Sequence, residues 1–325
     1  MSCGPGVGCF SEIVHLAVGR PAPLERQPYE PAADRFGPIS VIVLVLLGAL
    51  VVTAWWIARH PHLVADVRQR ATDMASVQRM LEWAYRRVRS MNQALVRRFA
   101  AVGVAGAVLL AGLALVAALS LGFAKLLEDV LEGDGLTVFD PTISWWVARH
   151  RDLWLTSALR MVTLLGSPAV LATLAIVSGV AASARSRSWL AAVLAAFGAC
   201  GAGLIIAAAK AVVGRDRPPT PFATVAEDGF SFPSGHAAGT AAVMLLSAWL
   251  LTRWLITSWA WRVTIWATAV GVAGAVGFSR VYLGVHYVSD VLAGWLLGAA
   301  WAGTIMVVGT WWDDTRRARK PRRFL

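Results

Sequence analysis

Residues 279–290 read Ser279-Arg-Val-Tyr-Leu-Gly-Val-His-Tyr-Val-Ser-Asp290, and they join two apolar runs at residues 263–280 and 290–312. Each run is long enough to cross the roughly 30 Å hydrocarbon core of a bilayer. Arg280 ends the first run, where a charge is costly and usually functional. The segment therefore predicts two membrane helices joined by a short polar connection that carries chemistry.

Five more apolar runs precede this segment, at approximately 39–58, 100–124, 161–182, 189–209 and 236–252. Hydrophobic residues make up 57% of the 325-residue chain and charged residues 15%. This composition excludes a disordered, fibrous or disulfide-stapled protein. The sequence predicts an all-α, polytopic membrane helix bundle of about seven spans.

The basic residues predict how the bundle is oriented. Nineteen of the 30 Lys and Arg residues fall in segments that alternating spans place on one side, namely 59–99, 183–188, 253–262 and 313–325. Because Lys and Arg are retained on the cytoplasmic side, we expect these segments in the cytoplasm and the N-terminus outside the plasma (inner) membrane. The net charge of +11 is then explained by the basic residues of the cytoplasmic segments, and no nucleic-acid partner is predicted.

The same pattern predicts the domain organisation. An extracytoplasmic segment (1–38) and an extra span (39–58) precede a basic amphipathic linker (59–99), a six-span core (100–312) and a basic cytoplasmic tail (313–325). Apolar residues recur at helical spacing in 64–98, so this segment is expected to bind anionic lipids or to pack under the bundle. Asp140 and Pro141 are predicted to cap and begin a short outer helix.

Two further polar clusters border the apolar runs. Lys210 and Arg217-Pro218 lie at the end of the fourth run, and Pro233-Ser-Gly-His236 begins the fifth. Antiparallel spans bring both clusters to the same membrane face as residues 279–290, and the charge distribution makes that face extracytoplasmic. The sequence thus predicts one composite site at the outer face.

The composition of this site favours a phosphoryl ligand. Lys210, Arg217 and Arg280 supply three cations, and the Ser234-Gly235 turn supplies amides at a helix N-terminus. Taken singly, the cations are also typical of helix ends that snorkel to the interface, and Ser234 of an ordinary helix cap. The joint pattern favours the phosphate site.

Two histidines supply the nucleophile and the acid that phosphoryl transfer requires. His286 and Asp290 are four residues apart and share a helix face, so the carboxylate can hold Nδ1–H and leave Nε2 for in-line attack. His236 can protonate the departing oxygen. Because the guanidinium groups supply the charge that a metal would bring, neither a metal nor another cofactor is predicted.

These residues resemble the type 2 phosphatidic acid phosphatase superfamily, whose pattern is KxxxxxxRP, PSGH and SRxxxxxHxxxD, and every signature position matches. The resemblance implies a six-helix core within about 100–312. It implies that His286 becomes a transient phosphohistidine, that His236 is the general acid and that Asp290 supports His286. It further implies that the phosphate is bound by Lys210, Arg217, Ser234, Gly235 and Arg280.

The expected function is metal-independent hydrolysis of lipid phosphate or pyrophosphate monoesters at the outer face. Undecaprenyl pyrophosphate, the cell-wall carrier, is the first expected substrate, followed by phosphatidic acid and phosphatidylglycerol phosphate. A lipid phosphotransferase that uses the same histidine is an alternative. A transporter is disfavoured because the charges gather at one face, and a vanadium haloperoxidase because that class resembles soluble proteins.

Glu227 and Asp228, in the 219–232 loop, are expected either to bias headgroup choice or to be solvated.

Overall fold

The computed structural model describes residues 37–62, 93–219, 223–225 and 227–319, and only the backbone of 93–108, 314 and 316–319. Across these ranges the chain forms nine α-helices and no strand, which confirms the predicted all-α class. The helices are α1 (Pro38–Arg59), α2 (Gln93–Glu132), α3 (Asp140–Arg149), α4 (Leu153–Thr163), α5 (Pro168–Ser186), α6 (Leu190–Val213), α7 (Gly235–Trp254), α8 (Trp259–Tyr282) and α9 (Val288–Arg319). Short 3₁₀ helices lie at Gly135–Phe139 and Leu164–Gly166.

Seven of these helices are long and apolar enough to cross a membrane: α1, the Leu109–Glu132 part of α2, and α5 to α9. Their outward faces carry many exposed Leu, Val and Trp side chains, as a lipid-facing bundle requires. The predicted number of spans is therefore confirmed, and the protein is a multi-pass membrane protein.

Helix α7 is the centre of the bundle, packed against α5, α6, α8 and α9. It approaches α9 closely, where Gly294 and Gly298 of α9 form a Gly-xxx-Gly pair. Small residues at this spacing let two membrane helices come together along their backbones. A Cβ atom at Gly294 would lie 2.8 Å from the carbonyl oxygen of Ser234. The Ser234 N–H donates to the carbonyl oxygen of Asp290 (3.0 Å), so this contact also joins two of the predicted site clusters.

Substitution of Gly294 by valine should destabilise the bundle. The added atoms have no room against the start of α7, and overpacking of this kind costs about 1–3 kcal/mol. We expect a lower thermal midpoint for Gly294→Val in detergent. Gly274→Val is the matched control, because a Cβ at Gly274 meets nothing within 4 Å. Equal midpoints for the two variants would contradict the close α7–α9 contact.

Helix α1 runs antiparallel to α8 on the outside of the bundle. Near its start, the Gly37 N–H donates to Asp152 Oδ2 (3.2 Å), and the Ser40 hydroxyl donates to the same oxygen. Near its end, Trp259 Nε1 donates to the carbonyl oxygen of Ile57 (3.0 Å). The Asp152 N–H in turn donates to the Tyr282 hydroxyl (2.7 Å), so residue 37 lies at the same end of the bundle as the end of α8.

Two span boundaries differ from the sequence-based prediction. The run 161–182 is interrupted, since α4 ends at Thr163 and α5 begins at Pro168 after a 3₁₀ turn. Ser167 caps α5 by accepting from Val170 N (3.5 Å), and a proline at the first position favours a new helix start. Helix α2 continues beyond residue 124 to Glu132.

Several predicted segments lie outside the described residues: the N-terminal segment to residue 36, most of the 59–99 linker, and the tail from residue 320. Helix α2 begins at Gln93, so the predicted boundary between linker and core falls within a continuous helix.

Candidate active site

Four helix ends meet at one end of the bundle and bring together all eight residues predicted for the site. Lys210 is in the last turn of α6, Ser234 to His236 are at the start of α7, Arg280 is at the end of α8, and Asp290 is in the first turn of α9. His286 precedes α9, so the expectation that it shares a helix face with Asp290 is wrong. The residues converge because successive spans run in opposite directions. The end of α6, the start of α7, the end of α8 and the start of α9 therefore lie on the same side of the bundle. Arg217 joins them from the loop after α6.

His286 is buried in the connection between α8 and α9. Its Nδ1 atom lies 3.5 Å from Asp290 Oδ2 and 3.3 Å from the Ser231 hydroxyl, and its Nε2 atom lies 3.3 Å from Arg217 Nη1. Burial lowers the pKa of His286 to about 4, with Asp290 opposing part of that effect. The ring is therefore neutral near pH 7, and a proton on Nδ1 leaves the Nε2 lone pair facing the arginine.

Arg217 and Arg280 are both held in fixed positions. Arg217 donates to three backbone carbonyl oxygens, those of Gly229 (2.9 Å), Val285 (2.9 Å) and Asp228 (3.0 Å). Arg280 is 1% exposed and donates to the Thr163 hydroxyl (2.8 Å). Guanidinium groups fixed in this way are preorganised to bind phosphoryl oxygens.

The carboxylate of Glu227 lies between these two guanidinium groups. Its Oε2 atom is 3.2 Å from Arg217 Nη1, and its Oε1 atom accepts from Arg280 Nη2. Burial alone would raise the pKa of Glu227, but the Arg280 guanidinium outweighs it, and the pKa is lowered. Of the two alternatives left open by the sequence, the solvated loop does not describe Glu227, whose carboxylate pairs with both guanidinium groups.

Glu227→Gln should bind vanadate more tightly than the unmodified protein. An oxyanion held by Arg217 and Arg280 must displace the Glu227 carboxylate, and a charge-assisted hydrogen bond is worth about 1.5–3 kcal/mol. We expect the apparent Kd for vanadate, measured by competitive inhibition, to fall about tenfold or more.

Asp228→Asn is the matched control for this prediction. It removes the same charge one residue away, where the contact with Arg217 is made by the backbone oxygen. Weaker vanadate binding in Glu227→Gln, or equal tightening in both variants, would contradict direct competition.

The turn at the start of α7 does not offer all the backbone amides that the sequence predicts for the phosphate site. The Ser234 amide is already bonded to Asp290, so it is not available to a ligand. The Ser234 hydroxyl is buried and has no hydrogen-bond partner within the described part of the chain, and it does not cap α7. The amides of the first turn, from Gly235 onward, are those that a helix leaves unpaired. Lys210 lies beside them, with its Cε atom 3.7 Å from a Cβ built on Gly235 and its Nζ donating to the Phe230 carbonyl oxygen.

His236 lies in that first turn, facing the break between α4 and α5. Its Cδ2 atom would be 3.1 Å from a Cβ on Gly166. Arg280, Glu227 and His286 all lie within electrostatic range of its ring. His236 therefore belongs to the same cluster of charged side chains as His286.

Sequence reasoning missed Arg215, Asp140 and Ser231 as members of the site. Arg215 Nη1 is 2.7 Å from Asp290 Oδ1, and its Nη2 is 2.9 Å from Asp140 Oδ2. Ser231 donates to Asp290 Oδ2 (2.5 Å). The predicted capping role of Asp140 is wrong, because its carboxylate accepts from the Ser289 N–H (3.1 Å) and from Arg215 instead of capping its own helix. For Arg215 the available signal was its place between Lys210 and Arg217, after the fourth apolar run, whereas no local signal marked Asp140 or Ser231.

Comparisons with known proteins identify the family of this chain. Residues 189–314 match the profile of the PAP2 superfamily. The chain is 33% identical to phosphatidylglycerophosphatase B of Bacillus subtilis over 178 residues, which cover 54% of this chain and 86% of that protein. It is 35% identical to decaprenylphosphoryl-5-phosphoribose phosphatase of Mycobacterium tuberculosis, over 45% of this chain and 74% of that protein.

The fold is similar to a crystal structure described as a transmembrane PAP2-type phosphatidylglycerolphosphate phosphatase from Bacillus subtilis. The TM-score is 0.55 at 28% identity, and the match covers 64% of this chain and 98% of that chain.

The chain belongs to the PAP2 superfamily. Its match to the superfamily profile runs from the residue before α6 into α9, so it includes all eight predicted site residues of this PAP2 phosphatase. The protein is accordingly an enzyme, a phosphoric monoester hydrolase. In the described ranges of this PAP2 protein, no group of three or more His, Cys, Asp or Glu residues is arranged to hold a metal ion.

Proposed function

We propose that the protein hydrolyses lipid phosphate or pyrophosphate monoesters through a phosphohistidine, without a metal ion. The observation that carries the proposal is the orientation of the His286 ring, with Nδ1 toward Asp290 and Nε2 toward Arg217. This is the arrangement that an imidazole nucleophile requires.

The proposed reaction has two displacements at phosphorus. In the first, Nε2 of His286 forms a bond to the terminal phosphorus while the bond to the leaving oxygen breaks, and His236 donates a proton to that oxygen. The leaving oxygen is the ester oxygen of a lipid monophosphate or the bridging oxygen of a lipid pyrophosphate. In the second, water attacks the phosphohistidine, His236 accepts the water proton, and inorganic phosphate and free His286 are released. Asp290 stabilises the charged imidazole in both steps, and Arg217, Arg280 and Lys210 stabilise the phosphoryl oxygens. Ser234 and Gly235 complete the proposed phosphate site.

A membrane-bound substrate is supported by the position of the site at the ends of four apolar helices. Each methylene of an acyl or prenyl tail that stays in the bilayer contributes about 0.8 kcal/mol, so the site need recognise little beyond the phosphoryl group. The relatives named above carry lipid phosphates in their names, and a 72-residue match at 42% identity is to an undecaprenyl-diphosphatase of Sulfolobus acidocaldarius. We propose undecaprenyl pyrophosphate first, then phosphatidic acid and phosphatidylglycerol phosphate.

The test is phosphate release by the purified protein in detergent with EDTA present. The panel contains these three lipids and a water-soluble sugar phosphate. We expect higher kcat/KM for at least one lipid than for the sugar phosphate, and no loss of rate with EDTA. A sugar phosphate that exceeds every lipid would refute the substrate class, and a requirement for Mg²⁺ would refute the metal-independent mechanism.

We further propose that residues 100–312 form the phosphatase core, that α1 is an added span, and that the site faces outward from the plasma membrane. The support is the excess of arginine in the segments at the opposite end. Asp228→Cys and Ala184→Cys, each in a background without Cys3, Cys9 and Cys200, test this orientation. We expect an impermeant maleimide to label the first in intact cells and not the second, and reversed labelling would place the site in the cytoplasm.

A further inference from the structure

Arg215 is two residues from the phosphate-site residue Arg217 but has a different set of partners. Its Nη1 donates to Asp290 Oδ1 (2.7 Å) and to the Ser289 hydroxyl (2.7 Å), and its Nη2 donates to Asp140 Oδ2 (2.9 Å). Its guanidinium also lies 4.3 Å from the centre of the Tyr287 ring. Arg215 therefore bridges two buried carboxylates behind the nucleophile and does not face the phosphoryl site.

Asp140 fixes this bridge from a distant part of the chain. It begins α3, is 1% exposed, and accepts hydrogen bonds from the Ser289 N–H (3.1 Å) and the Ser289 hydroxyl. Ser289 is in the first turn of α9, next to Asp290. The short helix α3 thus supplies both the counter-charge for Arg215 and a cap for α9.

The Asp290 carboxylate is left with a single orientation. Oδ1 is taken by Arg215, while Oδ2 accepts from the Ser231 hydroxyl (2.5 Å) and from the Tyr287 N–H (2.9 Å) and faces His286 Nδ1 at 3.5 Å. Rotation of the carboxylate would break both the Arg215 and the Tyr287 contacts. Burial works against the charge of Arg215, but the two carboxylates outweigh it, and the pKa of Arg215 is raised.

We propose that Arg215, anchored by Asp140, is a positioning residue that holds Asp290 so that Oδ2 faces His286 Nδ1. The proposal rests on the proposed role of His286 as nucleophile. Arg215 acts through Asp290 and makes no contact with the transferred phosphoryl group. Its loss would let Asp290 rotate and would leave its charge uncompensated next to the imidazole.

The test uses Arg215→Gln in the full chain in detergent, with p-nitrophenyl phosphate as substrate and vanadate as ligand. Misplacing a catalytic group by about 1 Å can cost about 10²-fold, so we expect kcat to fall by about that factor. KM and the Kd for vanadate should stay within about threefold, because Arg217, Arg280 and Lys210 remain. Weaker vanadate binding with a raised KM would mean that Arg215 binds phosphate directly, and it would overturn the proposal.

A double-mutant cycle separates positioning from general destabilisation. If Arg215 acts through Asp290, the Arg215→Gln change should cost less than about threefold in kcat when Asp290→Asn is already present. Multiplicative losses would overturn the proposal. Asp140→Asn keeps the shape of the bridge and provides the same cycle if Arg215→Gln fails to fold. Arg160→Gln, an arginine near the same membrane face that donates to the Thr224 carbonyl oxygen, is the control and should retain full activity.

The pH profile is a second readout that a structural role would not move. The titratable and charged groups near the His286 ring are Asp290, Arg217, Arg280 and His236, and among these Arg215 pairs only with Asp290. Without Arg215, the acid limb of kcat/KM should shift up by about one pH unit, and an unchanged limb would overturn the proposal. Full activity of His286→Ala would instead refute the proposed function itself.

Discussion

Replacing His286 with alanine should reduce phosphate release from every substrate by at least about 10⁴-fold, the scale seen when a covalent nucleophile is removed. The physical reason is that Nε2 faces Arg217 within the cation cluster while Nδ1 is held at Asp290. Because the pKa of His286 is lowered to about 4 by burial, the attacking ring is neutral over pH 5–8. Its protonation therefore should not slow the first displacement until the pH approaches 4.

The measurement is labelling of the enzyme with a ³²P-phosphorylated substrate, followed by an acid quench at short times. The unmodified protein should give an acid-labile, base-stable adduct, and His286→Ala should give none. His150→Ala is the control, because His150 follows the last residue of α3 and its described contacts are a hydrogen bond to the Trp146 carbonyl oxygen and a stack on the Trp146 ring. Retained labelling in His286→Ala would show that another residue is the nucleophile.

The positions of the eight site residues could be predicted because they depend on local signals. Apolar runs define the spans, and antiparallel spans alternate the faces. The spacing of four correctly pairs His286 with Asp290, although His286 lies in the turn before α9 and not on a helix face. The break at Thr163–Pro168 carried a local signal as well, a serine followed by proline, but the continuous apolar run concealed it. The predicted span ended at residue 124 because charged residues follow it. These charges are accommodated within α2, since Lys125 pairs with Glu128 (3.0 Å) and Asp129 (3.1 Å) on the same helix.

The contacts of Asp140 and Glu227 could not be predicted in the same way. Asp140 lies 75 residues from Arg215 and 149 from Ser289, and nothing near it in sequence distinguishes a helix cap from a buried counter-ion. Glu227 lies in a polar loop that has the composition of a solvated segment. Which carboxylate meets which arginine is decided by how α3 and residues 227–232 pack onto the helix ends. That packing is a tertiary property with no periodic signature.

His236→Ala should separate substrates by their leaving groups. A general acid contributes about 10²–10⁴-fold when the departing oxygen is a poor leaving group, so lipid alcohols should lose about that much in the first displacement. A nitrophenolate leaves without a proton at neutral pH. Phosphorylation by p-nitrophenyl phosphate should therefore differ by less than about tenfold between the unmodified enzyme and His236→Ala. The measurement is the pre-steady-state burst of nitrophenolate, which isolates the first displacement from the hydrolysis of the adduct.

His236 has opposite proton-transfer roles in the two displacements, and its loss should therefore affect them differently. In the first step the ring gives a proton, and in the second it takes one from water, so His236→Ala should retain the burst but lose steady turnover. Its place beside Gly166 and within electrostatic range of Arg280, Glu227 and His286 is consistent with contact to both the leaving oxygen and the incoming water. A variant that loses the burst on nitrophenyl phosphate as completely as it loses lipid hydrolysis would mean that His236 binds the phosphoryl group instead. The proton for the lipid oxygen would then have to come from Lys210 or from water.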